Sequence, residues 1–148
     1  MEIAFDEYKI SYEKELLDRS FIHSYLSEKT YWANGIPFSL VDKSISNSIC
    51  FGVYHNGTQI GFARVITDSA TFAYLADVFI VEEYRGKGLS LKLMDFILGH
   101  PDLKVVRAVF LVTKDAHGLY EKFGFTKLEG DMRDRFMRKV VSKPYIDK

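Results

Sequence analysis

A chain of 148 residues with 47% hydrophobic and 15% aromatic content is long enough to bury one real core and too apolar to stay disordered. Its 20 basic and 20 acidic residues cancel, which argues against a global attraction to nucleic acid or to an anionic membrane surface and requires any anion site to be local. The amino terminus has no basic region followed by an apolar run, and no segment approaches the ~18 uninterrupted apolar residues of a membrane span, so a soluble cytoplasmic protein is expected. The lone cysteine, Cys50, excludes an internal disulfide and sits in an apolar strand pattern that suits a buried structural thiol better than a nucleophile. No Cys and His set has zinc spacing, and no metal is expected.

In chain order, Met1 to Tyr8 alternates loosely and predicts a first strand. From Ser11, read as an N-cap, Leu16, Leu17, Phe21, Ile22 and Tyr25 recur at helical spacing and predict a helix of about four turns. Thr30 to Phe38 then combines helix-breaking Asn34-Gly35 and Pro37 with Tyr31, Trp32 and Phe38. Such an aromatic loop either packs as a lid on the core or lines a substrate mouth. Ser39 to Asn47 predicts a short second helix with Leu40 and Val41 facing in. Ser48 to His55 reads as a strand, Asn56-Gly57 as a hairpin turn, and Thr58 to Thr67 as the returning strand. After the turn at Asp68-Ser69-Ala70, Thr71 to Val81 predicts a third, largely buried strand.

That strand stops at Glu82-Glu83 and crosses the basic, glycine-rich turn Tyr84-Arg85-Gly86-Lys87-Gly88. It enters at once a helix with Leu89, Leu93, Phe96 and Ile97 on one face. The first N–H groups of a helix have no partner within it and carry the positive end of its dipole, so they suit a phosphate. Gly86 and Gly88 allow close backbone approach, and Arg85 and Lys87 add charge beside the same spot. The spacing fits neither a nucleoside-triphosphate P-loop nor the dinucleotide fingerprint. The helix ends near Gly99-His100-Pro101. Val105 to Val112 predicts a central strand, and Asp115 an N-cap for a short helix closed by Gly124. Phe125 to Leu128 and Phe136 to Val141 predict last strands joined by the charged Glu129 to Arg135. The order β-α-α-β-β-β-α-β-α-β-β makes residues 1–148 a single α/β domain, with helices flanking a mixed, mostly antiparallel sheet.

Arg85-x-x-Gly88-x-Ser90 resembles the Gln/Arg-x-x-Gly-x-Gly/Ala signature of the GCN5-related N-acetyltransferase (GNAT) family, with Ser90 replacing the usual Gly or Ala. One helix and one strand later, Leu119-Tyr120-Glu121-Lys122-Phe123-Gly124-Phe125 is similar to the Leu-Tyr-x-x-x-Gly-Phe segment of the same family. Two motifs in the right order are more specific than either alone. The resemblance implies a GNAT-like fold with acetyl-CoA as co-substrate. Its pyrophosphate would lie on the backbone of Arg85, Gly86, Lys87, Gly88, Leu89, Ser90 and Leu91, and its pantetheine arm along the main chain of Val78, Phe79 and Ile80. It also implies that Tyr120 protonates the departing thiolate. A phenol suits this task, since its ordinary pKa of ~10 keeps it protonated against a thiol of ~8.5.

From the residues alone, Tyr120 is equally a core aromatic on an amphipathic helix. Asp77, an acid inside an apolar strand, is the best candidate for the general base, or else a bulge residue bonded to its surroundings. His117, three residues before Tyr120, could share its helix face. Tyr31, Trp32, Phe38 and His117 are the substrate candidates. The expected activity is transfer of an acetyl group to a primary amine, of a small molecule or peptide, by direct attack in a ternary complex. A non-catalytic acyl-CoA-binding module and a nucleotide-phosphate-binding protein are the alternatives. No nucleic-acid or membrane partner is expected, and the chain would act as a monomer or homodimer.

Overall fold

The computed structural model describes residues 1–141 and Tyr145. Its strands are β1 (Glu2–Phe5), β2 (Tyr8–Ser11), β3 (Ile49–His55), β4 (Thr58–Thr67), β5 (Phe72–Ile80) and β6 (Ala108–Leu111). Its helices are α1 (Arg19–Lys29), α2 (Phe38–Ser46), α3 (Leu89–Leu98), α4 (His117–Glu121) and α5 (Gly130–Arg135). The strands form one six-stranded sheet in sequence order. All neighbours are antiparallel except β5 and β6, which run parallel and are joined by the crossover through α3.

Period-two alternation along the central strands buries both faces of the sheet. Phe51, Val53, Val65 and Leu75 face Leu89, Leu93, Met94 and Ile97 of α3. Cys50, Phe62 and Phe79 face Ile22 and Leu26 of α1 and Val41 and Ile45 of α2. The expected α/β class with a mixed, mostly antiparallel sheet is therefore borne out. Among the described residues no helix is long and apolar enough to cross a membrane.

The two ends of the chain depart from the expected order. The first strand is a hairpin that turns at Asp6, at φ 52°, and β2 runs on through Ser11, the residue expected to cap the first helix. Ser11 ends β2, and its hydroxyl accepts from the Glu13 N–H at 3.0 Å instead of capping a helix. A short 3₁₀ turn follows at Lys14–Leu16, and Leu17 is extended. The cap is Asp18, whose carboxylate accepts from the Phe21 N–H at 3.0 Å, leaving α1 with 11 residues, or about three turns. In α2, Val41 and Ile45 point inward, whereas Leu40 is exposed.

At the other end, neither Phe125 to Leu128 nor Phe136 to Val141 is a strand, and the charged stretch between them contains α5, with an Arg135–Asp131 ion pair one turn apart. β6 is thus the edge of the sheet, not a central strand, and it is shorter than the Val105 to Val112 run, whose two end residues are exposed.

Cys50 is 1% exposed, and burial pushes its thiol up to about 11, against the opposing pull of Lys14, Arg64 and Arg19. Because the thiolate is the reactive form, the folded protein at pH 8 is expected to react with a disulfide reagent slower than the denatured chain by at least about 10²-fold. Timed thiol titration with and without denaturant checks this, and equal rates would show that the sulfur is accessible. The sign for stability follows: the folded state keeps a proton that the unfolded state loses from about pH 9 upward, so this contribution falls between about pH 9 and 11.

Candidate active site

The site is organised by a break in the sheet. β6 pairs only with Phe72–Leu75 of β5, so among the described residues the remainder of β5, from Ala76 to Ile80, has no strand on that side and the two strands part. On the other side, Phe62 pairs with Phe79 and Arg64 with Ala76, which leaves Asp77 and Val78 opposite Ala63 alone. This is a β-bulge, with Asp77 in the left-handed region at φ 55°. The Val81 N–H donates to Ile60 of β4 at 2.9 Å. The alternation of the ladder therefore turns the amide groups of Ile80 to the open edge.

Beyond β5, a 3₁₀ turn at Glu82–Tyr84 leads into Gly86 and Gly88, both at φ 79°, and Gly88 is the N-cap of α3. No side chain caps this helix and no acid lies in its first turn. Its first internal bond runs from Lys92 N–H to Gly88 O at 3.3 Å, so the N–H groups of Leu89, Ser90 and Leu91 lie outside the helix ladder. A Cβ at Gly86 or Gly88 would meet no atom within 4 Å and would stand in open space. The turn fits a diphosphate: left-handed glycines, uncapped amides, the positive dipole end and Lys87 beside them.

Arg85 contributes backbone to this turn, but its side chain does not reach over it. The guanidinium folds back, donating from Nε to Ile80 O at 3.0 Å and from Nη2 to the Tyr25 hydroxyl at 2.9 Å. The Tyr25 ring stacks on Phe79 with centroids 3.9 Å apart, so Arg85 ties α1 to the end of β5.

Tyr120, on α4, is 8% exposed, and Phe125 meets it edge-on at 5.8 Å. It lines a cleft of about 650 Å³ beside β6 together with His117, Tyr74 and Leu111. Burial, and then the neighbouring Tyr31 phenol, push the Tyr120 hydroxyl above its ordinary value, so it is a neutral donor at physiological pH. Asp115 does not cap α4: the N-cap is Ala116, whose N–H is taken by Thr113 Oγ1 at 3.0 Å.

Asp77 has a side chain 11% exposed, and both carboxylate oxygens are engaged. Oδ2 accepts from Arg64 Nε at 2.9 Å, and Oδ1 accepts from the Trp32 indole N–H at 2.8 Å. Arg64 in turn donates to Ser48 Oγ at 3.1 Å. Tyr31 packs edge-on against Trp32 at 5.1 Å, and Lys114 Nζ lies 5.4 Å from the Tyr31 ring centroid. The structure thus brings together Tyr31, Trp32 and Asp77 from the candidates, and the Tyr31 phenol also neighbours Tyr120, which shares the cleft with His117. Phe38 starts α2 with its ring edge-on to His23 at 5.5 Å, and no ring contact joins it to Trp32. The Trp32 bond to Asp77 had no local signal, because 45 positions separate the two residues. Among the described residues no three His, Cys, Asp or Glu side chains gather into a metal site.

Residues 46–127 match the family model described as an acetyltransferase (GNAT) domain. A Gibberella zeae protein described as "Putative acetyltransferase FG08082" is 34% identical, over 78% of this chain and 77% of that protein. A crystal structure from Xanthomonas campestris pv. campestris, described as "a putative acetyltransferase belonging to the gnat family", superposes with a TM-score of 0.89 at 45% identity. It covers 96% of this chain and 99% of that one. A Clostridium acetobutylicum structure described as a predicted acetyltransferase with acetyl-CoA shares the fold, with a TM-score of 0.64, 15% identity, and 90% and 94% of the two chains covered. These matches define an α/β protein of the acyltransferase class. The chain belongs to the GNAT family, as the two motifs implied.

Proposed function

We propose that the protein transfers the acetyl group of acetyl-CoA to a primary amine by direct attack in a ternary complex. The observation that carries this reading is the start of α3, where two left-handed glycines leave three amides uncapped beside an opened sheet edge. Acetyl-CoA bound there would supply a thioester with an electrophilic carbonyl carbon and a thiolate leaving group.

The chain's own groups then have distinct tasks. The backbone from Gly86 to Leu91 holds the diphosphate. Arg85 occupies Ile80 O, so the N–H of Ile80 remains at the open edge, and with the main chain of Val78 it would align the pantetheine arm and donate to the acyl oxygen. Tyr120 holds a proton for the departing sulfur. The amine's own proton goes to water in this proposal. Asp77 is already bonded at both oxygens, and protonating it would cost its ion pair with Arg64. The same engagement of Asp77 is what favours the second reading, a non-catalytic acyl-CoA-binding module. The partners we propose are acetyl-CoA and a small-molecule or peptide amine, with no nucleic acid or membrane.

Acetyl-CoA at about 100 times its Kd is expected to stabilise the fold by about 2.7 kcal/mol and to raise Tm by roughly 5–10 °C. Release of free thiol across an amine panel then reports turnover. Stabilisation without thiol release from any amine would support the binding module, and stabilisation by a nucleotide but not by acetyl-CoA would overturn both.

A further inference from the structure

The loop between α1 and α2 is built on a fixed base. Thr30 Oγ1 donates to Leu26 O at 2.6 Å and accepts from the Ala33 N–H at 3.2 Å. The Gly35 N–H donates to Ser27 O at 3.0 Å, and His23 Nε2 lies 2.9 Å from Ile36 O. Ala33 is buried, while Tyr31 and Trp32 project outward, 61% and 45% exposed. Large aromatics left half in solvent on a well-anchored loop are poor packing and good contact surface.

Their surroundings show where they reach. Trp32 is bonded to Asp77 at the bulge of β5, and Tyr31, packed on Trp32, lies under Lys114, which follows β6. The two rings therefore span from one parted strand to the chain leaving the other, across the gap where the sheet opens. Asp77 is aimed at the indole by a left-handed backbone conformation, at φ 55°, and by the Arg64 ion pair.

Resting on the acetyl-transfer reading, we propose that Trp32 is the specificity-determining wall of the acceptor site and Asp77 the positioning residue that holds its indole. The amine selected has an apolar body and a single positive charge. The ring faces cover an apolar body and attract one cation. The charge of Asp77 is matched by Arg64, whereas Lys114 has no carboxylate partner among the described residues. Each positive charge on the acceptor meets repulsion from Lys114, which the Trp32 face offsets for one cation and not for a second.

Trp32 is the only tryptophan of the chain, so its emission reports on the wall directly. With the full chain saturated by coenzyme A, benzylamine is expected to change the emission saturably and to bind at least about tenfold tighter than spermidine. Asp77→Asn is expected to weaken benzylamine about tenfold in this titration and to leave the thermal stabilisation by coenzyme A intact. In turnover, Asp77→Asn and Trp32→Phe are each expected to raise the benzylamine KM about tenfold while kcat stays within about threefold, with the acid limb of the pH profile unmoved in Asp77→Asn. An emission unmoved by benzylamine, or spermidine binding as tightly, overturns the wall. A collapse of kcat with unchanged KM in Asp77→Asn makes Asp77 the base instead. Should Asp77→Asn not fold, the Trp32→Phe KM and the wild-type emission decide. Failure of coenzyme A to stabilise the wild-type chain would sink the acetyl-transfer reading itself, an outcome distinct from a silent Trp32.

Discussion

Tyr120→Phe is expected to lower kcat about 10²-fold while leaving the thermal stabilisation by acetyl-CoA and the Tm of the free protein nearly unchanged. Phenylalanine keeps the ring that packs edge-on against Phe125 and removes only the hydroxyl, so lost activity would not reflect a lost core. The direction of the pKa shift keeps Tyr120 in its protonated, hydrogen-bond-donating form while making it a weaker acid. A phenol is neutral when protonated, burial disfavours the phenolate, and the nearby Tyr31 acts in the same sense, so the proton is present throughout the neutral range. Transfer from this phenol to a thiolate whose conjugate thiol has an ordinary pKa of ~8.5 runs uphill, so Tyr120 acts by hydrogen-bonding the charge that develops on sulfur as the C–S bond breaks, and solvent restores any proton it gives up. Accordingly, no alkaline limb from Tyr120 is expected in the pH profile of kcat below about pH 10. Steady-state kinetics with a saturating amine, from pH 6 to the alkaline limit of stability, measure both effects. A turnover equal to wild type would return Tyr120 to the role of a packed aromatic.

What the sequence made legible is local. The glycine turn announces itself because its candidate phosphate-binding groups are consecutive backbone amides, and Gly88 stands at φ 79° where α3 begins. The Asn56-Gly57 hairpin is legible for the same reason, and it joins β3 to β4 as expected. Features that depend on register or on a distant partner were hidden. The bulge at Asp77 arises from a mismatch between β4 and β5, which appears only when the two strands are paired. Asp77 looked like a candidate base from one strand's composition, but Trp32 and Arg64 reach it from a loop and a neighbouring strand. Arg85 sits in a phosphate motif, yet the nearer acceptors, Ile80 O and the Tyr25 hydroxyl, take its side chain. At the carboxyl end, Phe136 to Val141 has strand-like residues without a strand's ladder. Phe136 stacks on Phe110 of β6 at 5.7 Å, which is ring contact and not edge pairing.

Gly88→Val tests the anion turn most severely, and its two effects can be separated. A β-branched residue at φ 79° is strained whatever the space around it, at a cost of about 1–2 kcal/mol or more, which should lower Tm by roughly 3–8 °C. The protein itself offers no clash, since a Cβ at Gly88 meets nothing within 4 Å, so any further loss must come from what occupies that space. A branched side chain in the space a diphosphate would fill is expected to weaken acetyl-CoA by at least about 10²-fold, because charge-assisted bonds to the N–H groups would lengthen together. Gly130→Val supplies the control: it too has a positive φ, at 55°, lies at a helix start and has open space around its Cβ, but on α5, beyond β6. It should lose stability and keep its acetyl-CoA affinity. Isothermal titration of both variants below their melting temperatures decides the matter. If Gly88→Val loses no more affinity than Gly130→Val, the amides at the start of α3 do not hold the co-substrate, and acetyl transfer loses the observation that carries it.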